Sequence, residues 1–342
     1  MTTKYLKFLL NWSWVFSQKY KTAGFTLMEL LVALVISFLI ILALLSLVID
    51  ILQVDRREAA RNETQQEMQM ALDYIATELR EAVYIYDGNC ITSTAQGTAA
   101  SANYCPGLQN HLPTFANQTP ILAFWKPETI PDNQMPSCTS LTGTTKQDCE
   151  DLLIKRRPYT LVVYLQSTDN SGNKWQGKSR ITRYALRKYS LPVPATLTQS
   201  TGYVDPSQED STTFQTWPIK VTNGTGTNLQ STTPLATNAP DVLADFVDNG
   251  NATGKTVPAC PTGDYVRSPL PIASNSYNSF FACVRTVVPT TASVTTPSGV
   301  NQDVVLYLRG NANGKPGVGN DKFTPVLQTQ VLVRGVINKI PQ

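Results

Sequence analysis

The first strong pattern in the chain is an apolar run close to the N-terminus. No charged residue occurs between Leu30 and Ile49, and a helix over that stretch would extend about 30 Å, the thickness of the hydrocarbon core of a bilayer. Secretory signals have shorter apolar regions followed by a small-residue cleavage site, and neither feature is found here. The pattern therefore predicts a membrane-spanning helix over residues 25–53, with the carboxylate of Glu29 near its start.

A second helical pattern continues beyond the apolar run, over residues 54–87. Strong helix formers dominate it, and neither proline nor glycine occurs between Phe25 and Asp87. Apolar side chains recur at helical spacing, at Met68, Leu72, Ile75, Leu79 and Val83. Gly88 follows as a stop signal. The spacing predicts an amphipathic helix that continues the membrane helix as far as Tyr86 and enters a globular head.

The pattern changes again in residues 88–342, where polar loops alternate with short runs of β-branched and aromatic residues. These runs predict strands at 160–165, 180–188, 304–310 and 329–337. A Gly- and Asn-containing linker joins the first two, which indicates a hairpin, whereas residues 240–250 fit either a helical turn or a strand. The predicted fold class is α+β, with the long helix packed on an antiparallel β-sheet head that carries long loops.

The distribution of charge predicts the orientation of the membrane helix. The 342-residue chain has a formal net charge of +3, and the segment before the apolar run contains four lysines and no acidic residue, namely Lys4, Lys7, Lys19 and Lys21. The remainder is close to neutral, which argues against nucleic-acid binding through bulk charge. Because positive residues stay on the cytoplasmic side of a membrane, we expect a cytoplasmic N-terminus and an exported head.

Six cysteines follow the apolar segment as near neighbours in sequence. If the head is exported, sequential pairing is the simplest connectivity, joining Cys90 to Cys105, Cys138 to Cys149 and Cys260 to Cys283. Buried free thiols are the alternative. A zinc site is disfavoured because the chain has no CxxC motif and a single histidine, His111, in a loop-like stretch.

The start of the apolar run forms a specific motif. The stretch GFTLMELLVALVIS (24–37), with Lys19 and Lys21 before it, resembles the N-terminal signature of type IV pilins and type II secretion pseudopilins. The resemblance implies that a prepilin peptidase and methyltransferase removes residues 1–24 as a leader peptide. It would cut after Gly24 and methylate the new N-terminus at Phe25. The fold implied is pilin-like.

The same resemblance implies that Thr26 and Glu29 act in assembly. The apolar helix would pack into a filament core, with Glu29 facing the N-terminal amine of a neighbouring subunit. Without a neighbour, a carboxylate this close to the cytoplasmic interface can simply reach water. One departure is visible, because many pilins carry a helix-bending proline deep in the span where this chain has Ser46. No kink is therefore predicted.

Residues 50–88 and the segments 242–250 and 305–312 are similar to larger minor pilins and J-type minor pseudopilins. The closest likeness is to the hormogonium polysaccharide secretion pseudopilins of filamentous cyanobacteria. It implies a minor, non-enzymatic pseudopilin, at a filament tip or in initiation, that serves polysaccharide secretion linked to gliding motility. The implied partners are other pilins or pseudopilins, an inner-membrane assembly platform and an exopolysaccharide. The implied location is the inner membrane, with a single span and a periplasmic or cell-surface head.

Two alternatives remain open at this stage. One is a minor pilin of a general adhesion, motility or DNA-uptake pilus, and the other is a sugar-binding module or enzyme tethered by one helix. For an enzyme, neither a GxSxG elbow nor a phosphate-binding loop occurs in the sequence. The neighbouring carboxylates of Glu150 and Asp151, or of Asp245 and Asp248, are candidates for glycosidase chemistry. No cofactor is predicted.

Calcium is the one ion for which the head offers candidate ligands. Its oxygen-rich loops contain Asp245, Asp248, Asn249, Asn251 and Asp321. Hydrogen bonding within turns is the favoured alternative for these residues. Five aromatic residues lie in loop-like surroundings, where they could stack on sugars or partner proteins, namely Trp125, Trp175, Trp217, Tyr203 and Tyr265. Burial beneath loops is the favoured explanation for them.

Overall fold

The computed structural model describes residues 24–230, 239–250, 257–270, 279–285, 302–319 and 323–333. The chain divides into two compact units, Met1–Asp55 and Arg56–Gln342. Helix α1, Leu27–Arg80, contributes residues to both units. The second unit is the head, and every strand within the described residues belongs to it.

Helix α1 is a single element of 54 residues, as the absence of proline and glycine predicts. Its burial begins at Ala60 and then recurs every three or four residues, through Thr64 and Met68 to Leu79. This spacing places one face of the helix in the core of the head and leaves the other face exposed.

The predicted extension of the helix to Tyr86 is wrong, because α1 ends at Arg80 and strand β1 occupies Tyr84–Tyr86. Branched and aromatic side chains favour an extended backbone here, and strand pairing completes the change. β1 pairs antiparallel with strand β2 (Gln118–Pro127), and the Gln302 side-chain amide hydrogen-bonds both backbone groups of Ile85 at 2.9 Å. Partners that lie far away in sequence therefore end the helix early.

The larger sheet contains five antiparallel strands in the order β1-β2-β3-β4-β7. After β1 its strands are β2 (Gln118–Pro127), β3 (Tyr159–Ser167), β4 (Ser179–Leu186) and β7 (Asp241–Val247). The predicted hairpin at 160–165 and 180–188 is confirmed as β3 and β4. Within residues 240–250, Asp241–Val247 form a strand rather than a helical turn. Strand β2 was not predicted.

A smaller antiparallel sheet has the order β11-β10-β9-β8. Its strands are β8 (Tyr265–Ser268), β9 (Phe280–Arg285), β10 (Asp303–Arg309) and β11 (Val326–Leu332). The strand predicted at 304–310 corresponds to β10. The one predicted at 329–337 overlaps β11, and its last four residues lie outside the described residues.

The remaining elements in the described part of the chain are short. They comprise helices α2 (Gly88–Ile91) and α3 (Gly143–Lys155), the 3-10 turns Leu108–His111 and Asp132–Gln134, and a hairpin of β5 (Ile219–Thr222) and β6 (Thr225–Asn228).

The main core lies where α1 packs against both sheets. It contains Leu72 and Ile75 of the helix together with Phe124 of the larger sheet and Leu306 of the smaller one. Each such buried side chain contributes roughly 1.5–3 kcal/mol. The predicted α+β class, with a long apolar N-terminal helix followed by an antiparallel head, is confirmed.

A second apolar cluster covers the opposite face of the larger sheet, beneath the long loops. Trp125 and Trp217 meet there at a centroid distance of 5.4 Å, with Tyr203 and Phe214 beside them. Because both faces of the sheet are covered, β2 and β3 are buried along nearly their whole length instead of alternating between core and solvent.

Candidate processing and assembly site

The motif residues lie at the very beginning of α1. Gly24, Phe25 and Thr26 have no regular secondary structure, and the helix begins at Leu27. The carbonyl of Thr26 accepts hydrogen bonds from the N–H groups of Glu29 at 3.0 Å and Leu30 at 3.2 Å. Its hydroxyl accepts from the Glu29 N–H at 3.3 Å. Thr26 is therefore the N-cap of α1, and the structure brings Thr26 and Glu29 together within one turn.

The side chain of Glu29 is exposed in the first helical turn. Among the residues that the structure describes, its carboxylate has no hydrogen bond and no ion pair. A negative charge is favourable near a helix N-terminus, where backbone N–H groups point outward. The carboxylate is thus compatible with the isolated chain and still available to a cation from outside it.

The first unit presents a continuous apolar surface. Every described side chain from residue 24 to 55 is exposed, and Phe25 at the tip is 78% exposed. The apolar part of α1 is long enough to span a membrane. The polar Ser46 fits this surface because its hydroxyl donates to the carbonyl of Ala43 at 2.9 Å. Such a surface requires lipid or other apolar helices around it.

In the head, α1 is fixed to the larger sheet by a buried ionic group, the Glu78 cluster, which comprises Glu78, Lys126, Tyr164 and Arg183. The guanidinium of Arg183 donates two hydrogen bonds of 2.9 Å to the Glu78 carboxylate, and Tyr164 donates a third. Lys126 Nζ lies 2.9 Å from Glu78 Oε1. Glu78 is only 6% exposed, so helix and sheet are joined by charge inside an otherwise apolar interface.

The environment of Glu78 determines its protonation. Burial alone would raise the pKa of this carboxyl. The hydrogen bonds from Arg183 and Tyr164, the charge of Arg183 and the contact with Lys126 outweigh burial and lower the pKa to about 2. For Tyr164, burial together with the adjacent carboxylate raises the pKa of the phenol. Glu78 is therefore ionised at all ordinary pH values, and Tyr164 keeps its proton as a donor.

A second connection joins α1 to residues 310–319, here named the Lys315 loop. Lys315 Nζ lies 3.3 Å from Glu63 Oε2, 3.2 Å from Glu67 Oε2 and 4.7 Å from the centre of the Phe246 ring. At Gly310 the backbone approaches Met68 so closely that a Cβ would come within 2.3 Å of its sulfur. The loop thus holds the first turns of α1 that belong to the head.

Replacing Lys315 by Ala is expected to destabilise the head by about 1–3 kcal/mol, because the buried aliphatic stem leaves a cavity and Glu63 and Glu67 lose the cation that they share. Urea unfolding of the detergent-solubilised protein, followed by the fluorescence of the buried Trp125 and Trp217, measures the loss. Lys155→Ala is the control, since its pair with Asp151 is exposed on both sides and should contribute less than about 0.5 kcal/mol. Equal effects of the two substitutions would contradict the role given to Lys315.

All six cysteines are paired. Disulfides join Cys90 to Cys105, Cys138 to Cys149 and Cys260 to Cys283, the sequential pairs named above. The partners are separated by 15, 11 and 23 residues. Each bridge therefore closes a short loop within the head.

The carboxylates considered for catalysis serve other contacts. Glu150 and Asp151 lie on the exposed side of α3, where each pairs with a lysine four residues away. Asp245 accepts a hydrogen bond from the backbone N–H of Gly177 at 3.2 Å, and Asp248 accepts one from the Asn311 amide at 2.9 Å. These contacts tie the end of β7 to neighbouring loops.

The calcium candidates form no ion-binding group within the described ranges. No set of three or more His, Cys, Asp or Glu side chains is close enough to share a metal ion there. Asp248 binds the Lys315 loop through Asn311, as the alternative of loop hydrogen bonding predicts. Asn251 and Asp321 lie outside the described residues, so this part of the prediction remains open.

The loop-like aromatic residues are mostly buried. Trp125, Trp217 and Tyr203 belong to the second apolar cluster, where the indole of Trp125 donates to the Tyr86 hydroxyl at 3.0 Å. Trp175 differs, because it is partly exposed and stacks on the guanidinium of Arg180 at 5.2 Å. Tyr265 donates to the carboxylate of Asp303. Burial, the favoured explanation, is confirmed for the first three.

His111 makes structural contacts with Gln230 and Trp217. Its ring Nδ1 lies 2.9 Å from the side-chain oxygen of Gln230, and burial lowers the pKa of the imidazole despite that contact. The ring also meets Trp217 edge to face. This arrangement closes the second apolar cluster at its margin.

Comparison with known proteins adds one match. Residues 19–45 match the family model of the prokaryotic N-terminal methylation motif, a stretch that includes Gly24, Phe25, Thr26 and Glu29. No curated protein and no solved structure matches the chain. The motif implies processing by a prepilin peptidase and assembly with other pilins, and the apolar helix fits anchoring in a membrane. Taken with the long helix and the antiparallel head, the motif supports the assignment of this chain to the type IV pilin-like proteins.

Proposed function

We propose that this protein is a minor pseudopilin of a type IV pilus-like machine. It is inserted in the inner membrane with a cytoplasmic N-terminus, cut after Gly24 and methylated on Phe25. The observation that carries the proposal is the exposed, largely apolar surface of residues 25–54, which begins at the methylation motif and has Glu29 in its first turn. Lipid covers this surface before assembly, and the helices of neighbouring subunits cover it afterwards.

The size of the head favours a minor position. The head contains two sheets, an added hairpin and long loops, and three disulfides restrain it. Such a bulky head is hard to repeat densely along a thin filament, so we place the subunit at the tip or in initiation. Its contribution is assembly, with no catalytic role.

The most specific part of the proposal concerns what the machine exports. The similarity of residues 50–88, 242–250 and 305–312 to hormogonium pseudopilins supports a role in exporting polysaccharide linked to gliding. Deleting the protein is expected to reduce both surface polysaccharide and motility. If both were unchanged in the deletion strain, this role would be excluded, while the assignment as a pilin-like subunit would be unaffected.

Mass spectrometry of the mature N-terminus tests the proposal directly. Protein isolated from membranes and from sheared surface material should begin at N-methylated Phe25. An intact leader starting at Met1 would instead indicate a single-helix anchor carrying a sugar-binding or enzymatic head. A strain lacking the prepilin peptidase provides the control, since it should accumulate the uncut chain.

A general adhesion, motility or DNA-uptake pilus is the second candidate, because pilins and pseudopilins share the same N-terminal motif. It predicts the same mature N-terminus but a different deletion phenotype. Loss of adhesion or of DNA uptake, with normal polysaccharide export, would favour this candidate over the first.

A further inference from the structure

The beginning of α1 has the residue pattern of a capping box, a Ser or Thr N-cap followed three residues later by Glu or Gln, and the structure shows the hydrogen bond made by the N-cap side chain. Thr26 occupies the N-cap, and its hydroxyl accepts the N–H of Glu29, the third residue of the helix. The Thr26 carbonyl already accepts the first intrahelical bonds, from Glu29 and Leu30. The position where the helix begins is therefore fixed by a side chain and not only by the apolar run.

This boundary lies immediately after the bond between Gly24 and Phe25. In a helix that began one turn earlier, the carbonyl of Gly24 would accept the N–H of Met28, four residues on. The observed helix begins at Leu27, so the Gly24 carbonyl and the Phe25 N–H take no part in the helical ladder. Hydrolysis needs that carbonyl in the open, because water must add to its carbon before the C–N bond to Phe25 breaks.

We propose that Thr26 is a positioning residue for removal of the leader. By capping α1 it holds the scissile bond outside the helix, so that water can convert the Gly24 carbonyl to a carboxylate and release Phe25 as an amine. The inference rests on the proposed function, since it concerns the same cleavage. It assigns to Thr26 a task before assembly that is separate from the later pairing of Glu29.

Two substitutions separate capping from shape. Valine matches threonine in shape but cannot cap, whereas asparagine differs in shape and is among the best N-caps. We expect precursor with Thr26→Val to be cut about fivefold more slowly than wild type. Removing one N-cap shifts the equilibrium away from the helix that begins at Leu27 by about that factor, and only this form leaves the scissile bond outside the helix. Precursor with Thr26→Asn, like precursor with Thr26→Ser, should be cut at the wild-type rate.

The experiment uses the full-length precursor in detergent with purified prepilin peptidase, and follows the cut chain by mass spectrometry over time. Hydrogen exchange provides a second readout, because α1 should lengthen towards the leader in the valine variant and increase protection of the Met28 amide. Tryptophan fluorescence confirms that each head is folded.

The outcomes are distinct. Slow cleavage with valine and normal cleavage with asparagine and serine support the inference. Valine cut as fast as wild type, or asparagine cut as slowly as valine, overturns it, since the peptidase would then be reading something other than the cap. If wild-type precursor is not cut after Gly24 at all, it is the proposed function that fails.

Discussion

Replacing Glu78 by Gln is expected to destabilise the head by about 3–5 kcal/mol, the loss typical of breaking a buried ion pair by removing one partner. The neutral amide would leave the guanidinium of Arg183 in a buried site without its carboxylate, and the ammonium of Lys126 with only the half-exposed Glu81. Urea unfolding followed by tryptophan fluorescence measures the change.

Glu81→Gln is the matched control for this substitution. Glu81 directly follows the last residue of α1 and contacts the same lysine, at 3.2 Å, but its side chain is half exposed. Water can therefore replace it, and we expect a loss below about 1 kcal/mol. Similar losses of unfolding free energy for the Glu78 and Glu81 variants would show that the stability provided by the Glu78 cluster does not depend on its burial.

The same carboxylate predicts an acid-dependent stability. Its pKa is lowered from 4.5 to about 2 in the folded head, so folding favours the ionised form. Stability from this group is fully present above about pH 4.5 and is lost as the pH falls towards 2, by about 3 kcal/mol in total. Unfolding free energies measured across this range should fall more steeply for wild type than for Glu78→Gln. Parallel curves would contradict the assigned pKa.

Replacing Glu29 by Ala is expected to leave membrane insertion intact and to reduce incorporation into filaments at least tenfold. In the single chain the carboxylate has no side-chain partner among the described residues, so its removal breaks no side-chain contact in the folded subunit. In a filament it would pair with the amine of Phe25 from a neighbour, and a charge pair away from water is worth several kcal/mol. The ratio of sheared surface protein to membrane protein measures incorporation.

Ser46→Ala serves as the control for the Glu29 substitution. Ser46 is also a polar residue in the apolar helix, but its hydroxyl bonds to the carbonyl of Ala43 within the same helix. Its loss should leave incorporation unchanged. Normal incorporation of Glu29→Ala would exclude the pairing with a neighbouring amine, even if the chain were still cut after Gly24.

The parts of the fold that depend on neighbouring residues were predictable from sequence. The long helix follows from helix formers without a breaker, and the β3–β4 hairpin follows from two branched runs around a polar turn. The methylation motif is also local, which explains why Gly24, Phe25 and Glu29 could be identified before any geometry was known. Thr26 was identified in the same way, but its capping hydrogen bond becomes visible only in the structure.

The parts that depend on distant partners were not predictable. The boundary at Arg80 is set by β2, which begins only at Gln118, and helix propensity near the boundary says little about such pairing. Glu78 gave a partial signal, because it lies three residues after Ile75 and so on the buried face. Its main partner Arg183 is 105 residues away, and nothing in the local sequence indicates that a buried carboxylate will be satisfied from there.

The three disulfides have a consequence for the order in which the head matures. Partners are never more than 23 residues apart, and the three closed loops neither overlap nor enclose one another. If the head crosses the membrane from its N-terminal side, each bridge can close as soon as its second thiol emerges. The first bridge can then form before the second pair has been translocated, so oxidation can follow the direction of export without competition between alternative pairings.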